Sequence, residues 1–337
     1  MRILGRCPFA ALLLTLVAAA PAQATFPGEN GRISHWRYFP EEDTLAIFTV
    51  RPDGFGSRQI TASDQGYFSA FSDWSPDAER LAIDSDRTTP GAPQVWTIDP
   101  DGSRAQQLTD SPNGAYDPAW SPDGRTLAFE GTFEPQSGIY LMPARPRHTP
   151  VTAAQARRVT RVKDGGFDSE PQFSPDGRWI VFTRFSVECT VPPDDTPPPC
   201  QTRIFRVRSN GRHLQQLTDV RLNASAPDFH PSGRWIAFDT GDNEVLPNVG
   251  DIRVMRPDGS DKRVILRAGR NDYFQNPSFS PDGRQVTFAR WPAAAEVPES
   301  RIWIARADGG GRRVIPSSQD GDNKPDWGSR GRGHHGW

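Results

Sequence analysis

The chain has 337 residues, with 39 Lys and Arg against 41 Asp and Glu, for a formal net charge of −2. Charge this close to balance leaves no overall electrostatic footprint for nucleic acid. With 33 prolines, 30 glycines and 35% hydrophobic residues, the composition suits an all-β protein with many tight loops.

The first element in chain order is a targeting segment. Arg2 and Arg6 precede an apolar run from Phe9 to Ala20, and Ala22-Gln23-Ala24 has the small-x-small form of a cleavage site. The run is too short to span a bilayer, and Cys7 lies ahead of it. Residues 1–24 are therefore read as a secretory signal peptide, with no membrane span left after cleavage.

The mature chain opens with Phe26-Pro27-Gly28-Glu29-Asn30-Gly31-Arg32, then strands at Ile33 to Trp36, Leu45 to Val50 and Gln59-Ile60. The opening has the shape of a turn that recurs downstream, without the short strand that precedes each later copy. The clearest copy is Tyr116 to Gly131, YDPAWSPDGRTLAFEG. A strand ends at Trp120, the turn Ser121-Pro122-Asp123-Gly124 reverses the chain, and the apolar run Leu127-Ala128-Phe129 follows. Pro presets φ at the second turn position, Ser and Asp hydrogen-bond locally, and Gly supplies the positive φ.

The aromatics that end the short strand are Trp74, Trp120, Phe173, Phe229, Phe279 and Trp327, spaced by 46, 53, 56, 50 and 48 residues. Between them lies a second unit, as in Val95 to Asp99 with Asp101-Gly102 and Leu108-Thr109. Such Asp-Gly and Asn-Gly hairpins are strong short-range strand signals. Four short strands in a period near 50 residues make one propeller blade.

The predicted fold is thus an all-β, six-bladed propeller of four-stranded antiparallel blades over residues 25–328, with a disordered tail at 329–337. Lys324-Pro325-Asp326-Trp327 supplies the first blade's missing strand and closes the ring, which removes its open edges. Two copies depart from the pattern: Ala78 stands where the turn has Gly, and His230 where it has Ser. Ala in a left-handed position costs roughly 1 kcal/mol, so that turn is expected to differ in shape.

These residues resemble the TolB-like propeller family, whose repeat reads roughly PxFSPDGxxIAF followed by a strand, a DG turn and LT. The resemblance covers about residues 26 to 328. It implies a binding module that docks a protein or other cell-envelope component at the propeller mouth. No counterpart of the extra N-terminal domain found in that family's transport members is expected.

Strand alternation puts the SPDG and DG turns on one face. The opposite face takes the irregular loops: Arg184 to Thr202, Gly241 to Gly250, and Trp291 to Ser300. Pro143 to Gln155 is an insertion between the third and fourth strands of its blade. Loops carry function on a rigid scaffold, so the irregular face is the expected binding face. Trp291 is either an exposed anchor there or packed beneath its loop.

Cys189 and Cys200 sit in one of those loops, VECTVPPDDTPPPC. In an oxidising compartment the pair is expected to be bridged, for up to roughly 3 kcal/mol.

Catalytic signals are sparse. There is no GxSxG and no HExxH, and only ten residues follow Trp327, so no hydrolase domain is expected. The six histidines do not cluster; His35 occupies the core aromatic register, His230 a turn and His213 the edge of one. The His334-His335 pair in the tail lacks further ligands. No metal and no other cofactor is expected.

The register before the innermost strand's Pro reads Phe71, Asp117, Glu170, Ala226, Asn276, Lys324. Asp117, Asp168, Glu170, Asn276 and Lys324 are the candidate binding residues at the channel mouth, for a cation or a basic partner group. The plainer reading makes them strand-start polar residues facing channel water. The expectation is a secreted, periplasmic or extracellular, monomeric, non-enzymatic binding module. The alternative is a channel-mouth enzyme such as a polysaccharide lyase or hydrolase.

Overall fold

The computed structural model of the protein describes residues 27–133, 136–145, 150–152, 155–162, 166–186, 201–241, 250–269, 272–292 and 299–331. The signal segment, Cys189 and Cys200, most of the three irregular loops, and His334-His335 lie outside these residues.

Six four-stranded antiparallel sheets follow one another in chain order. The first holds β1 (Asn30–Phe39), β2 (Thr44–Val50) and β3 (Arg58–Gln59). The second is β4 (Ser69–Trp74), β5 (Leu81–Ser85), β6 (Gln94–Ile98) and β7 (Gln106–Gln107). The third is β8 (Ala115–Trp120), β9 (Thr126–Phe133), β10 (Gln136–Pro143) and β11 (Arg157–Arg158). The fourth is β12 (Phe167–Phe173), β13 (Trp179–Phe185), β14 (Thr202–Arg208) and β15 (Gln215–Gln216). The fifth is β16 (Ala224–Phe229), β17 (Ile236–Thr240), β18 (Ile252–Met255) and β19 (Arg263–Leu266). The sixth is β20 (Asp272–Phe279), β21 (Gln285–Pro292), β22 (Arg301–Arg306) and β23 (Arg313–Val314). The last strand, β24 (Asp322–Ser329), returns to pair with β1, so the ring closes as the sequence implies.

The core lies between blades. The six anchor aromatics are all buried, and each sits across from a fully buried aliphatic residue of the next strand, as in Trp120↔Leu127 and Trp327↔Ile33. Phe129, Phe182, Phe238 and Phe288 hold one register of the second strands and are fully buried. In the first blade that register holds His35, which is 2% exposed and stacks on Phe48. Trp291 packs half-buried against the core between the last and first blades.

The turn chemistry repeats atom for atom. The Ser121, Ser174 and Ser280 hydroxyls donate to the turn Asp at 2.6–2.7 Å and accept a backbone N–H at 2.9 Å. Ala78 takes φ 56°, beside 66° at Gly124, and its N–H still donates to Ser75 at 2.8 Å. The expected change of turn shape is absent; the alanine accepts the left-handed backbone. His230 replaces the Ser contacts with its own, pairing Nδ1 with Ser232 at 2.8 Å and Nε2 with the Gly283 carbonyl at 3.0 Å.

The insertion after β10 reaches back to the preceding blade. Val151 is buried and bridges Thr109, with its N–H donating to Leu108 at 2.6 Å.

One expectation is corrected. The innermost strands run six to eight residues, and the register before the Pro is not a strand start. It lies inside each strand at a bulge, where the pairing register shifts. A bulge adds an unpaired residue and bends the strand, which here turns that residue toward the channel. In the second blade the following residue is Ser72, where the other five have Pro.

Candidate functional site

All six bulge residues have positive φ: Phe71 35°, Asp117 47°, Glu170 53°, Ala226 48°, Asn276 54° and Lys324 51°. Such backbone is uncommon for residues with a Cβ and costs of order 1–3 kcal/mol each. At three of them the N–H donates to an acceptor in a neighbouring blade, while that of Lys324 donates to the Asn323 side chain of its own strand at 2.6 Å. Asp117 donates to Asp84 at 3.2 Å, Ala226 to Glu170 at 2.7 Å, and Asn276 to Asp239 at 2.7 Å.

A second tier of stitches lies deeper. Asp73 accepts the N–H of Trp120 at 2.6 Å, Asp228 that of Phe279 at 2.7 Å, and Asp326 that of Trp74 at 3.1 Å. In the sixth blade Ser278 accepts from Trp327 at 3.2 Å. Each acceptor belongs to the blade before its donor, so these bonds run around the ring in one sense.

The six bulge residues face one another across a channel space of about 60 Å³. That volume holds a few water molecules and no sugar ring. Among the described residues Lys324 is its one cation: Nζ lies 2.5 Å from Glu170 Oε1 and 4.8 Å from the centre of the Phe71 ring. Glu170 Oε2 also accepts the Thr183 hydroxyl at 2.8 Å. Asn276 donates its amide to Asn323 at 3.0 Å. Asp117 accepts from the Ser169 hydroxyl.

Burial and charge set the protonation of this ring. Burial opposes the Lys324 charge, but Glu170 and Asp117 outweigh it and raise its pKa. Burial likewise works against the Glu170 carboxylate, and Lys324 overcomes it and lowers the pKa. The flanking acids go the other way. Burial, with help from Asp117, pushes Glu130 up to about 8, and burial with Glu170 pushes Asp239 up to about 7. Asp84 is also raised well above the usual range, by burial and then by Asp117.

Of the sequence-predicted residues, the fold brings Asp117, Glu170, Asn276 and Lys324 together. Asp168 does not join them. It is fully buried and forms a two-pronged ion pair with Arg184 at 2.6 and 2.8 Å, its cross-strand neighbour. Asp322 holds the same register in the first blade, with Arg37 at 2.6 Å and His35 at 3.4 Å. Burial would raise Asp322, but His35 and then Arg37 hold it down at about 2. Sequence reading passed over Asp84, Asp239, Asp73 and Asp228, because their role is set by the neighbouring blade. Among the described residues, no three His, Cys, Asp or Glu side chains are placed to hold a metal.

The comparisons with known proteins agree with this architecture. A profile described as the TolB beta propeller domain matches residues 25–184 and 113–331. An uncharacterized Agrobacterium fabrum protein is 28% identical over 222 residues, covering 64% of this chain and 68% of its own. The Tol-Pal system protein TolB of Francisella tularensis subsp. mediasiatica is 29% identical over 183 residues, 54% of this chain but only 36% of that protein. Among solved structures, TolB from Acinetobacter baumannii superposes with a TM-score of 0.67 at 22% identity, over 91% of this chain and 69% of that one. An oligogalacturonate lyase in complex with manganese superposes with a TM-score of 0.53 at 14% identity, over 85% of this chain and 74% of that one. The last two likenesses speak for the fold alone. On the repeats, the closed six-bladed ring and the profile spanning both halves, the chain belongs to the TolB beta propeller domain family.

Proposed function

We propose that this chain is a non-enzymatic, protein-binding propeller exported to the cell envelope, and that it docks its partner on the channel-mouth face. The observation that carries the reading is the state of the channel. Its charged groups are already engaged, Lys324 with Glu170 and Asp117 with the Ser169 hydroxyl, in a space of about 60 Å³. A hydrolase or lyase needs a substrate-sized cleft and a free acid or base within reach of the reacting atoms. The channel offers a rigid polar floor against which a partner segment is able to press. Membership of a family that includes Tol-Pal system proteins supports an envelope location and a protein partner.

The alternative of a metal-using lyase is not favoured by the described histidines. His35 is buried against Asp322, while His230 and His213 belong to the turn face. Export is tested by N-terminal sequencing of the mature protein, which should begin after Ala24.

The binding face is tested with a photo-crosslinking residue, placed in living cells at exposed mouth-face positions such as Gln65, Asn113 or Arg221, or at turn-face positions such as Asp123, Asp176 or Asn210. A specific protein adduct from the mouth positions supports the reading. Adducts from the turn positions alone overturn the face, and adducts from neither overturn protein binding. Stoichiometric transition metal in the purified protein would return the enzyme reading.

A further inference from the structure

The whole-chain charge of −2 hides a segregation. The third and fourth strands of a blade lie farthest from the channel. In blades four, five and six these strands and their turns span residues 201–216, 250–269 and 301–314, and carry 13 Lys and Arg against 4 Asp and Glu. The matching stretches of blades one to three, residues 44–59, 94–107, 136–145 and 155–158, carry 6 against 3. Half of the rim is therefore strongly basic, and it is one continuous half, because the three blades are consecutive.

The guanidinium groups there are held in place. Trp179 is flanked by Arg206 at 4.2 Å and Arg208 at 4.7 Å, and Trp235 by Arg256 at 4.0 Å and Arg263 at 4.7 Å. Trp303 carries Arg290 at 4.9 Å. Stacking on an indole fixes the plane of a guanidinium; Arg206 also donates to Gln215, and Arg256 and Arg290 lie 3.5 and 2.9 Å from Asp261 and Asp272. Among the described residues, Arg208, Arg212, Arg263, Arg312 and Arg313 have no carboxylate within 4 Å. Arg212, Arg263, Arg312 and Arg313 are exposed.

We propose that the outer rim of blades four to six is a binding surface for an acidic polysaccharide, a flexible sugar chain carrying carboxylates. Planar Arg forks match carboxylates two bonds at a time. Two features select this occupant. Three of six blades cover half of the ring's circumference, so a flat bilayer touches only part of the surface, whereas a flexible chain follows it. Single-stranded nucleic acid binds through open aromatic faces on which bases stack, and here Trp179 and Trp235 each already hold two guanidiniums.

The test uses the mature full-length protein and an alginate oligomer of about twenty sugars. Arms with an oligo-dT of similar length, a glycerol-phosphate polymer, phosphatidylglycerol vesicles and neutral dextran separate the other occupants. Alginate should bind saturably at low salt and weaken as salt rises, as counterion release requires. The triple variant R212Q/R263Q/R313Q, one exposed Arg per blade, should lose about tenfold or more in affinity and flatten the salt dependence. A control triple on the other half, R58Q/R104Q/R145Q, should stay within about twofold, and circular dichroism should show both variants folded. Absence of alginate binding, equal loss in both triples, or tighter binding in the DNA, phosphate-polymer or vesicle arm overturns the proposal.

Discussion

Replacing Lys324 with Met removes the channel's one ammonium and keeps the side chain's bulk. Lys324 and Glu170 are 19% and 16% exposed as side chains, and 2.5 Å apart. Stripping one partner from a buried pair costs about 3–5 kcal/mol, because the other charge is left without compensation. The variant has one escape: Glu170 can take up a proton. In the unfolded chain a Glu titrates near about 4.3, so holding it neutral costs about 1.4 kcal/mol for each pH unit above that value. At about pH 7.5 that route costs about 4 kcal/mol and brings little relief. At about pH 5.5 it costs about 1.6 kcal/mol and caps the loss there.

The sign follows the same way. The folded variant raises the Glu170 pKa above its unfolded value, so stability present at low pH is lost as pH rises through the folded pKa. Asp239, at about 7 beside Lys324 in the native protein, moves in the same direction and steepens the trend. Denaturant unfolding at the two pH values should give a loss of about 3–4 kcal/mol at the higher and about 1.5 kcal/mol or less at the lower. For a domain of this size the corresponding drops in Tm are about 6–8 °C and about 3 °C. The double variant K324M/E170Q should recover most of the loss at the higher pH, since neither partner is then left charged. A loss equal at both pH values, or no recovery in the double variant, would refute the pairing as the source of the effect.

Deleting residues 324–337 removes the Pro325-Asp326-Trp327 core of β24 and opens the ring; the truncated chain should fail to show a cooperative melt, and wild-type melting would show that closure contributes nothing. Ala78→Gly relieves a left-handed alanine at φ 56°, partly offset by the freer unfolded chain, and should stabilise by about 0.5–1 kcal/mol; a Tm at or below wild type would contradict that backbone assignment.

The blades were legible because their signals are local. Pro, Asp and Gly at fixed offsets encode the turns, and the aromatic spacing encodes the period. His35 was legible as a core residue because it takes a register that holds Phe in four other blades. The channel was harder. Phe71, Asp117, Glu170, Ala226, Asn276 and Lys324 share no chemistry, because what they share is a backbone conformation, held at Asp117, Ala226 and Asn276 by acceptors on another blade. Lys324 and Glu170 are 154 residues apart in the chain. Asp168 could have been separated from the others: once β12 is paired with β13, its cross-strand neighbour is Arg184. The basic rim is invisible in the whole-chain charge of −2, because the acids that balance it lie elsewhere in the sequence.

Where those acids lie bears on function. Asp73, Asp84, Asp228, Asp239 and Asp326 are all placed in the inner strands, and each accepts a backbone N–H from the following blade. A carboxylate in such a place is part of the ring's fabric. Removing its hydrogen bond would leave an orphaned N–H in a positive-φ or core position, at a penalty of about 1–3 kcal/mol. The acids of the channel are thus taken up in the ring's own hydrogen bonds, and Lys324 neutralises part of the charge that remains. The exposed basic side chains of the rim hold no buried N–H in place; Arg312 and Arg313 donate to the exposed carbonyls of Arg267 and Pro52, at 3.1 and 3.0 Å. Charge free to meet a partner lies on the outside of blades four to six, while charge that holds the propeller together lies around its axis.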